Sequence, residues 1–157
     1  LISLISLISS CFLDFLISFT ILFLLMAFYG FMPSSNILYL PLFVALVFIF
    51  TASLTLWAST LNVKYRDVRY VVPFIVQLGL YVSPVGFASE AVVGKWRLLY
   101  SLNPMVGIID GFRWCILGEN APLYLPGVVL SLVVTLVLFV SGYLFFSKAE
   151  RHFADII

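Results

Sequence analysis

The ten residues LNVKYRDVRY, at positions 61–70, carry four charged side chains, Lys64, Arg66, Asp67 and Arg69, in a chain that has little charge elsewhere. Of the 157 residues, 64% are hydrophobic and only 10% are charged, whereas a soluble domain carries about 25% charged residues. This composition predicts an integral membrane protein. Because charge in hydrocarbon is costly and cytoplasmic loops accumulate Lys and Arg, the stretch is expected to be a cytoplasmic loop between two spans.

Four apolar stretches are each close to the roughly 20 residues that cross about 30 Å of hydrocarbon. The predicted spans are residues 10–32, 37–61, 68–87 and 123–146. The third contains Pro73, Gly79 and Pro84, and such interruptions are tolerated where neighbouring protein satisfies the freed backbone groups. It is therefore predicted to be a kinked helix that faces protein. The predicted fold class is all-α and integral to the membrane.

The segment between the third and fourth spans is too polar for one span and too apolar for an ordinary loop. Asn103 and Pro104 divide it, since Asn is a good N-cap and Pro fits the first turn of a helix. The sequence predicts two short helices, residues 91–102 and 104–117, the second stopping at Gly118. Each is too short to cross a bilayer, so both are expected to be re-entrant or interfacial.

The positions of the basic residues predict the orientation of the chain. The loop at 62–69 and the C-terminal tail, which holds Lys148 and Arg151, together contain five of the eight basic residues. The two groups lie at the same side of the predicted spans, so the loop and the C-terminus are expected in the cytoplasm. The other basic residues occur among acidic ones in the re-entrant segment: Lys95, Arg97 and Arg113 with Glu90, Asp110 and Glu119.

The sequence lacks the motifs that phosphate binding, metal binding and common catalytic sites require. The Gly-Lys pair at 94–95 is followed by Trp96 and does not complete a phosphate-binding GxxxxGK[ST] loop. His152 is the only histidine, which excludes a histidine metal cluster or a Ser-His-acid triad. Cys11 and Cys115 lie in different apolar segments without the spacing of a metal or redox site. An enzyme is not expected, and a net charge of +1 gives no reason to expect a nucleic-acid partner.

Four stretches carry a resemblance to a known family. They are LNVKYRDVRYVVPFIVQ at 61–77, YVSPV at 81–85, KWRLLYSLNPMVGIIDGFRWCILG at 95–118 and ERHFADII at 150–157. In this order they resemble the membrane permease subunit of type-2 ABC exporters, in particular those that export lipid-linked polysaccharides such as O-antigen, capsule or teichoic-acid-like polymers.

The resemblance implies a six-span, multi-pass permease of the cytoplasmic (inner) membrane, working in the bilayer as a homodimer beside two ATPase subunits. The lipid-linked polysaccharide would pass between the permeases. ATP and Mg²⁺ would bind to the ATPase, and this chain would hold no cofactor and no metal. The four spans resemble the third to the sixth, so residues 1–157 would form the C-terminal part of a single permease domain. The chain begins LISLISLIS without Met, and it is expected to be N-terminally incomplete.

The resemblance also implies roles for individual residues. In the loop, a secondary contact with the ATPase would involve Lys64, Tyr65, Arg66, Asp67 and Arg69. The two short helices would be gate helices at the outer mouth of the channel, with Asn103, Pro104, Asp110 and Arg113.

Six aromatic residues are candidates for a channel lining, because sugar faces stack on aromatic rings. They are Trp57, Phe74, Tyr81, Phe87, Tyr100 and Trp114. Anchoring at the lipid interface or helix packing is the alternative for each of them.

Two other functions remain open at the level of sequence. A secondary transporter or channel would need ionisable groups at mid-membrane, and only Asp14 is a weak candidate. A membrane enzyme of polymer assembly would need polar catalytic residues near one interface. The nearest approach to such a group is Asp110, Arg113 and Glu119.

Overall fold

The regular secondary structure of the described residues is all helical, with no strand. The structure is a computed structural model that describes residues 2–154 except 66, 88, 93 and 94, and the side chains of all these except 2–9, 11, 90, 95, 120 and 151–154. The α-helices are α1 (Ile2–Phe28), α2 (Leu40–Lys64), α3 (Val68–Val82), α4 (Lys95–Tyr100), α5 (Pro104–Leu117) and α6 (Leu125–Ala154). Short 3₁₀ helices occupy Ser35–Tyr39, Ser89–Ala91 and Gly118–Asn120.

Two helical segments, Ser35–Lys64 and Leu125–Glu150, are long and apolar enough to cross a membrane by length and composition. Phe12–Phe28 and Val68–Val82 are shorter apolar helices. The apolar side chains of these helices are largely exposed, as at Leu24 and Val137, where 65% and 61% of the surface is accessible. Such continuous apolar surface is unfavourable in water and suits hydrocarbon. The structure is therefore that of an all-helical membrane protein.

Helix α3 is shorter than the predicted span of residues 68–87. Pro73 lies inside the helix, which ends at Val82 because Ser83 precedes a proline and adopts an extended backbone conformation, with φ −91° and ψ 149°. Its 15 residues rise about 22 Å. No residue of α3 is buried, so the expectation that this helix faces protein does not hold within the chain.

Helix α5 begins and ends at the residues that the sequence indicates. The Asn103 side-chain oxygen accepts a hydrogen bond from the Met105 backbone N–H at 3.1 Å, which confirms the predicted N-cap. Pro104 occupies the first turn, and Gly118 terminates the helix with a φ of 62° that favours glycine. Helix α4, at Lys95–Tyr100, is only six residues long, shorter than the predicted 91–102.

Helix α5 packs through a row of small residues spaced four apart, Gly107, Gly111 and Cys115, all of which are buried. A Cβ atom added at Gly111 would overlap the ring of Phe43 on α2, and one added at Gly107 would overlap the side chain of Ser131 on α6. Small residues at this spacing allow helices to approach closely in membranes, where association depends on packing rather than on the hydrophobic effect. Helix α5 is thus held closely against both α2 and α6.

Helix α6 meets α5 and α2 with small and weakly polar residues of its own. The Ser131 hydroxyl oxygen accepts a hydrogen bond from the Gly107 backbone N–H at 3.2 Å, and Thr135 donates to the Ser131 carbonyl at 2.7 Å. Further along α6, Gly142 lies against Trp57 of α2. The three helices α2, α5 and α6 form one packed unit, named here the α2–α5–α6 body.

The glycine row gives a first prediction. Replacing Gly111 by Ala introduces a methyl group where the Phe43 ring lies, and overpacking of this kind costs about 1–3 kcal/mol. Thermal unfolding of the full-length protein in detergent should show a lower midpoint for Gly111→Ala.

Gly79→Ala is the matched control, since Gly79 lies inside α3 with nothing within 4 Å of an added Cβ atom. Its midpoint should be unchanged or slightly raised, because Ala favours a helix more than Gly does. Equal midpoints for the two variants would contradict the close contact between α5 and α2.

Candidate functional site

The charged loop between α2 and α3 presents its described side chains to the surroundings. Lys64, Tyr65, Asp67 and Arg69 are all exposed, while Arg66 lies outside the described residues. The sequence-predicted contact residues that the structure describes are therefore accessible to a partner.

The backbone of this loop is short and hydrogen-bonded. The Tyr65 N–H donates to the Leu61 carbonyl at 2.7 Å, which closes α2, and the Val68 N–H donates to the Tyr65 carbonyl at 3.2 Å, which opens α3. The Lys64 ammonium lies 5.3 Å from the centroid of the Tyr65 ring. Lys64 ends α2 and Asp67 precedes α3, so both charges are favourably placed relative to the helix dipoles.

A second group of polar residues surrounds Arg113 on α5 and is named here the Arg113 cluster. The Arg113 guanidinium donates to the carbonyl oxygens of Pro84, Val85 and Phe87 at 2.7, 3.3 and 2.9 Å. These three carbonyls belong to the turns that follow α3. One side chain of α5 thus satisfies three backbone carbonyls of this connection.

The shortness of α3 explains why the connection that follows it needs such a partner. Helix α3 rises only about 22 Å, less than the hydrocarbon thickness of about 30 Å. The helix alone is therefore too short to cross a bilayer. Irregular backbone within hydrocarbon requires protein partners for its polar groups, and the fork of the guanidinium supplies several donors at once.

Two further side-chain hydrogen bonds tie the same connection to α5. Ser89 donates from its hydroxyl to Asp110 Oδ2 at 2.5 Å, and Asn103 donates from Nδ2 to Ser83 Oγ at 3.1 Å. Asp110 and Arg113, three residues apart on α5, are both half-buried and bind the connection at Pro84, Val85, Phe87 and Ser89. Their joint effect is to hold the chain that follows α3 against one face of α5.

Helix α4 contributes an arginine and a tyrosine at the edge of the Arg113 cluster. The Arg97 guanidinium carbon lies 4.3 Å from the centroid of the Tyr124 ring, a cation–π contact. Burial raises the pKa of the Tyr100 hydroxyl, the nearby Asp110 raises it further, and Arg113 lowers it. In the described part of the chain, Arg97 Nε and Tyr100 Oη are buried without a hydrogen-bond partner.

Two of the candidate channel aromatics pack between helices. Trp57 donates from Nε1 to Ser141 Oγ at 3.3 Å and stacks on Phe145, with ring centroids 5.0 Å apart. Trp114 lies beside Tyr39, with centroids 5.5 Å apart. The contacts made by these two residues are those of helix packing.

The other four candidates lie on α3 or close to the Arg113 cluster. Phe74 and Tyr81, seven residues apart on one face of α3, have 62% and 73% of their surface exposed. Phe87 and Tyr100 face each other with centroids 6.2 Å apart. The structure thus brings the six aromatics to different places rather than into one cluster.

Sequence reasoning missed the row of Gly107, Gly111 and Cys115, although its signal, small residues at a spacing of four, is visible in the sequence. It also missed Ser83 and Ser89, for which no local signal exists because their partners on α5 are 20 and 21 residues away. Among the described residues, no group of three or more His, Cys, Asp or Glu could hold a metal ion.

These features define an all-helical membrane protein with a charged loop at one end of α3 and two short helices folded back beside its other end. The model of the ABC-2 type transporter family matches residues 2–117. The chain belongs to this family.

Curated relatives give the comparison more detail. The chain is similar to the O-antigen export system permease protein RfbA of Klebsiella pneumoniae, with 27% identity over 92% of this chain and 56% of that protein. The protein of the same name from Myxococcus xanthus is 25% identical over the same shares. The inner membrane transport permease YadH of Escherichia coli is 34% identical over 50% of this chain and 32% of that protein. The chain thus spans about half the length of the O-antigen permeases that it matches.

The two roles of Asn103 give a second prediction. Asn103→Ser keeps an oxygen that caps α5 but is too short to reach Ser83, whereas Asn103→Ala loses both interactions. Loss of an N-cap costs about 1 kcal/mol. Thermal unfolding in detergent should therefore rank wild type above Asn103→Ser and Asn103→Ser above Asn103→Ala. Identical midpoints for Ser and Ala would show that the cap contributes nothing.

Proposed function

We propose that this chain is part of the membrane-spanning subunit of an ATP-driven exporter that moves a lipid-linked polysaccharide, or a similar cell-surface polymer, across the cytoplasmic membrane. The observation that carries the proposal is the match to the ABC-2 type transporter family over residues 2–117, together with relatives named as O-antigen export permeases. The names of the relatives supply the substrate class.

The proposed topology has four spans, formed by α1, α2, α3 with the turns after it, and α6. The loop at 62–69 and the C-terminus lie in the cytoplasm, as the positive-inside rule favours. Helices α4 and α5 then fold back from the opposite face, and α5 fills the part of the membrane that α3 leaves uncrossed. Residues 1–157 form one permease domain in this arrangement.

The partner on the cytoplasmic side is a separate ABC ATPase subunit, which carries ATP and Mg²⁺. The exposed Lys64, Tyr65, Asp67 and Arg69 support this assignment, because a short hydrogen-bonded loop with accessible charges suits a contact between subunits. This chain requires no cofactor of its own.

The polymer path lies between two copies of the permease, along an exposed face of α3. Tyr70, Phe74, Gln77 and Tyr81 recur on that face at a spacing of three to four residues, and all four are exposed. Aromatic rings offer stacking surfaces to sugars, and the Tyr hydroxyls and the Gln amide offer hydrogen bonds. A homodimer would place two such faces opposite each other, with Asn103, Pro104, Asp110 and Arg113 of the short helices at the outer mouth.

The loop gives the third prediction, which tests the function. Asp67→Ala in the full-length permease should reduce polymer export several-fold without reducing insertion, because it removes an exposed charge of the contact loop while making the loop more positive. Export is measured as surface polysaccharide in cells that lack the native permease, and insertion as permease in the membrane fraction.

Glu119→Ala is the matched control, since Glu119 is an exposed acidic residue in the short helix after α5. Its export should equal that of wild type. Copurification of the ATPase with the permease should weaken only for Asp67→Ala. Unchanged export and copurification for Asp67→Ala would contradict the loop contact, and a wild-type permease that neither binds an ATPase nor supports export would contradict the proposed function.

A further inference from the structure

Helix α3 is attached at its ends but not along its length. None of its residues is buried, whereas Ser83 and Pro84, which follow it directly, are almost completely buried. At its other end, α3 follows α2 after the short loop that contains Tyr65 and Asp67. The helix therefore contrasts with α5, which is buried along one face.

The attachment after Val82 depends on one turn of α5. Arg113 binds the carbonyls of Pro84, Val85 and Phe87, and Asp110, one turn earlier, accepts from Ser89. Four hydrogen-bonding groups of the connection, three carbonyls and one hydroxyl, thus meet two side chains three residues apart. A lysine cannot reproduce the arrangement, because its single ammonium lacks the planar fork of donors.

Helix α5 is itself packed closely between α2 and α6. Gly107 and Gly111 bring its backbone into contact with Ser131 and Phe43, and Cys115 has no exposed surface. The connection after α3 is consequently tied to a closely packed unit. The start of α3 has no comparable side-chain anchor among the described residues.

We propose that Arg113 is a positioning residue that pins the Val82 end of α3 to the α2–α5–α6 body, so that α3 turns about this end as a hinged helix. A helix fixed at one end moves most at its other end. In α3 that other end is Val68, which follows the charged loop. Displacement of the loop would therefore swing the exposed face of α3 while its far end stays in place. The movement of α3, called here the swing, rests on the proposed function. The attachment of its Val82 end through Arg113, called here the pin, does not.

The pin is tested by electron paramagnetic resonance distances in the full-length permease, without ATPase, in lipid nanodiscs. Spin labels at Val82 of α3 and Val137 of α6, both exposed, measure the pinned end, and a pair at Tyr70 and Val137 measures the end beside the charged loop. Wild type should give a narrow distribution for Val82 and a broader one for Tyr70. Arg113→Gln should broaden the Val82 distribution to the width of the Tyr70 distribution.

Three further variants distinguish a pin from a general loss of structure. Arg113→Lys should broaden the Val82 distribution less than Arg113→Gln does. Ser89→Ala, which removes only the hydrogen bond to Asp110, should broaden it less than Arg113→Lys. Lys148→Gln removes an exposed cation from α6 and should leave it unchanged. If Arg113→Gln does not insert, Arg113→Lys and Ser89→Ala still decide the question, since wild-type widths in both would overturn the pin.

The swing is tested by adding the ATPase and ATP to the same labelled proteins. The mean distance at Tyr70 should change more than that at Val82 in wild type, and the two should change equally in Arg113→Gln. A larger change at Val82 than at Tyr70 in wild type would overturn the hinge. A wild-type permease whose distances do not respond to the ATPase and ATP would contradict the proposed function and the swing, while the widths measured without ATPase would still decide the pin.

Discussion

The close approach of α5 to α2 and α6 is the constraint on which the rest of the structure depends. Helix α5 has 14 residues and cannot cross a bilayer by itself, so packing must hold it in place. Gly107 and Gly111 allow that packing, because any larger residue would overlap Ser131 or Phe43. Once α5 is fixed, its polar face becomes a support for neighbouring segments that have no helical partner of their own.

Two such segments use α5 in this way. The connection after α3 is bound by Asn103, Asp110 and Arg113, and the turn between α1 and α2 is bound where the Ser34 N–H donates to the Ile116 carbonyl at 3.2 Å. A charged side chain at membrane depth is costly unless protein groups surround it. Arg113 has such partners, and its hydrogen bonds also satisfy the irregular backbone after α3, so each of these two features compensates for the other.

Much of the fold was predictable because it depends on neighbours in sequence. The N-cap at Asn103 and the stop at Gly118 were predictable from residue type and spacing, and the structure has both. The length of α3 was not, because hydropathy continues past Val82 while the backbone leaves the helix before Pro84. The exposure of α3 was not predictable either, because the interrupted pattern of Pro73 and Gly79 indicates protein contact without saying which elements provide it.

By itself, the sequence determined the membrane class, the charged loop and the bounds of α5, since these follow from composition, charge and local capping. Its resemblance to type-2 exporter permeases was confirmed by the family match over residues 2–117. Only the tertiary structure decided what Arg113 does. Its carbonyl partners lie 26 to 29 residues earlier in the chain, and no local pattern specifies a hydrogen bond to a backbone whose course depends on how α3, α4 and α5 pack.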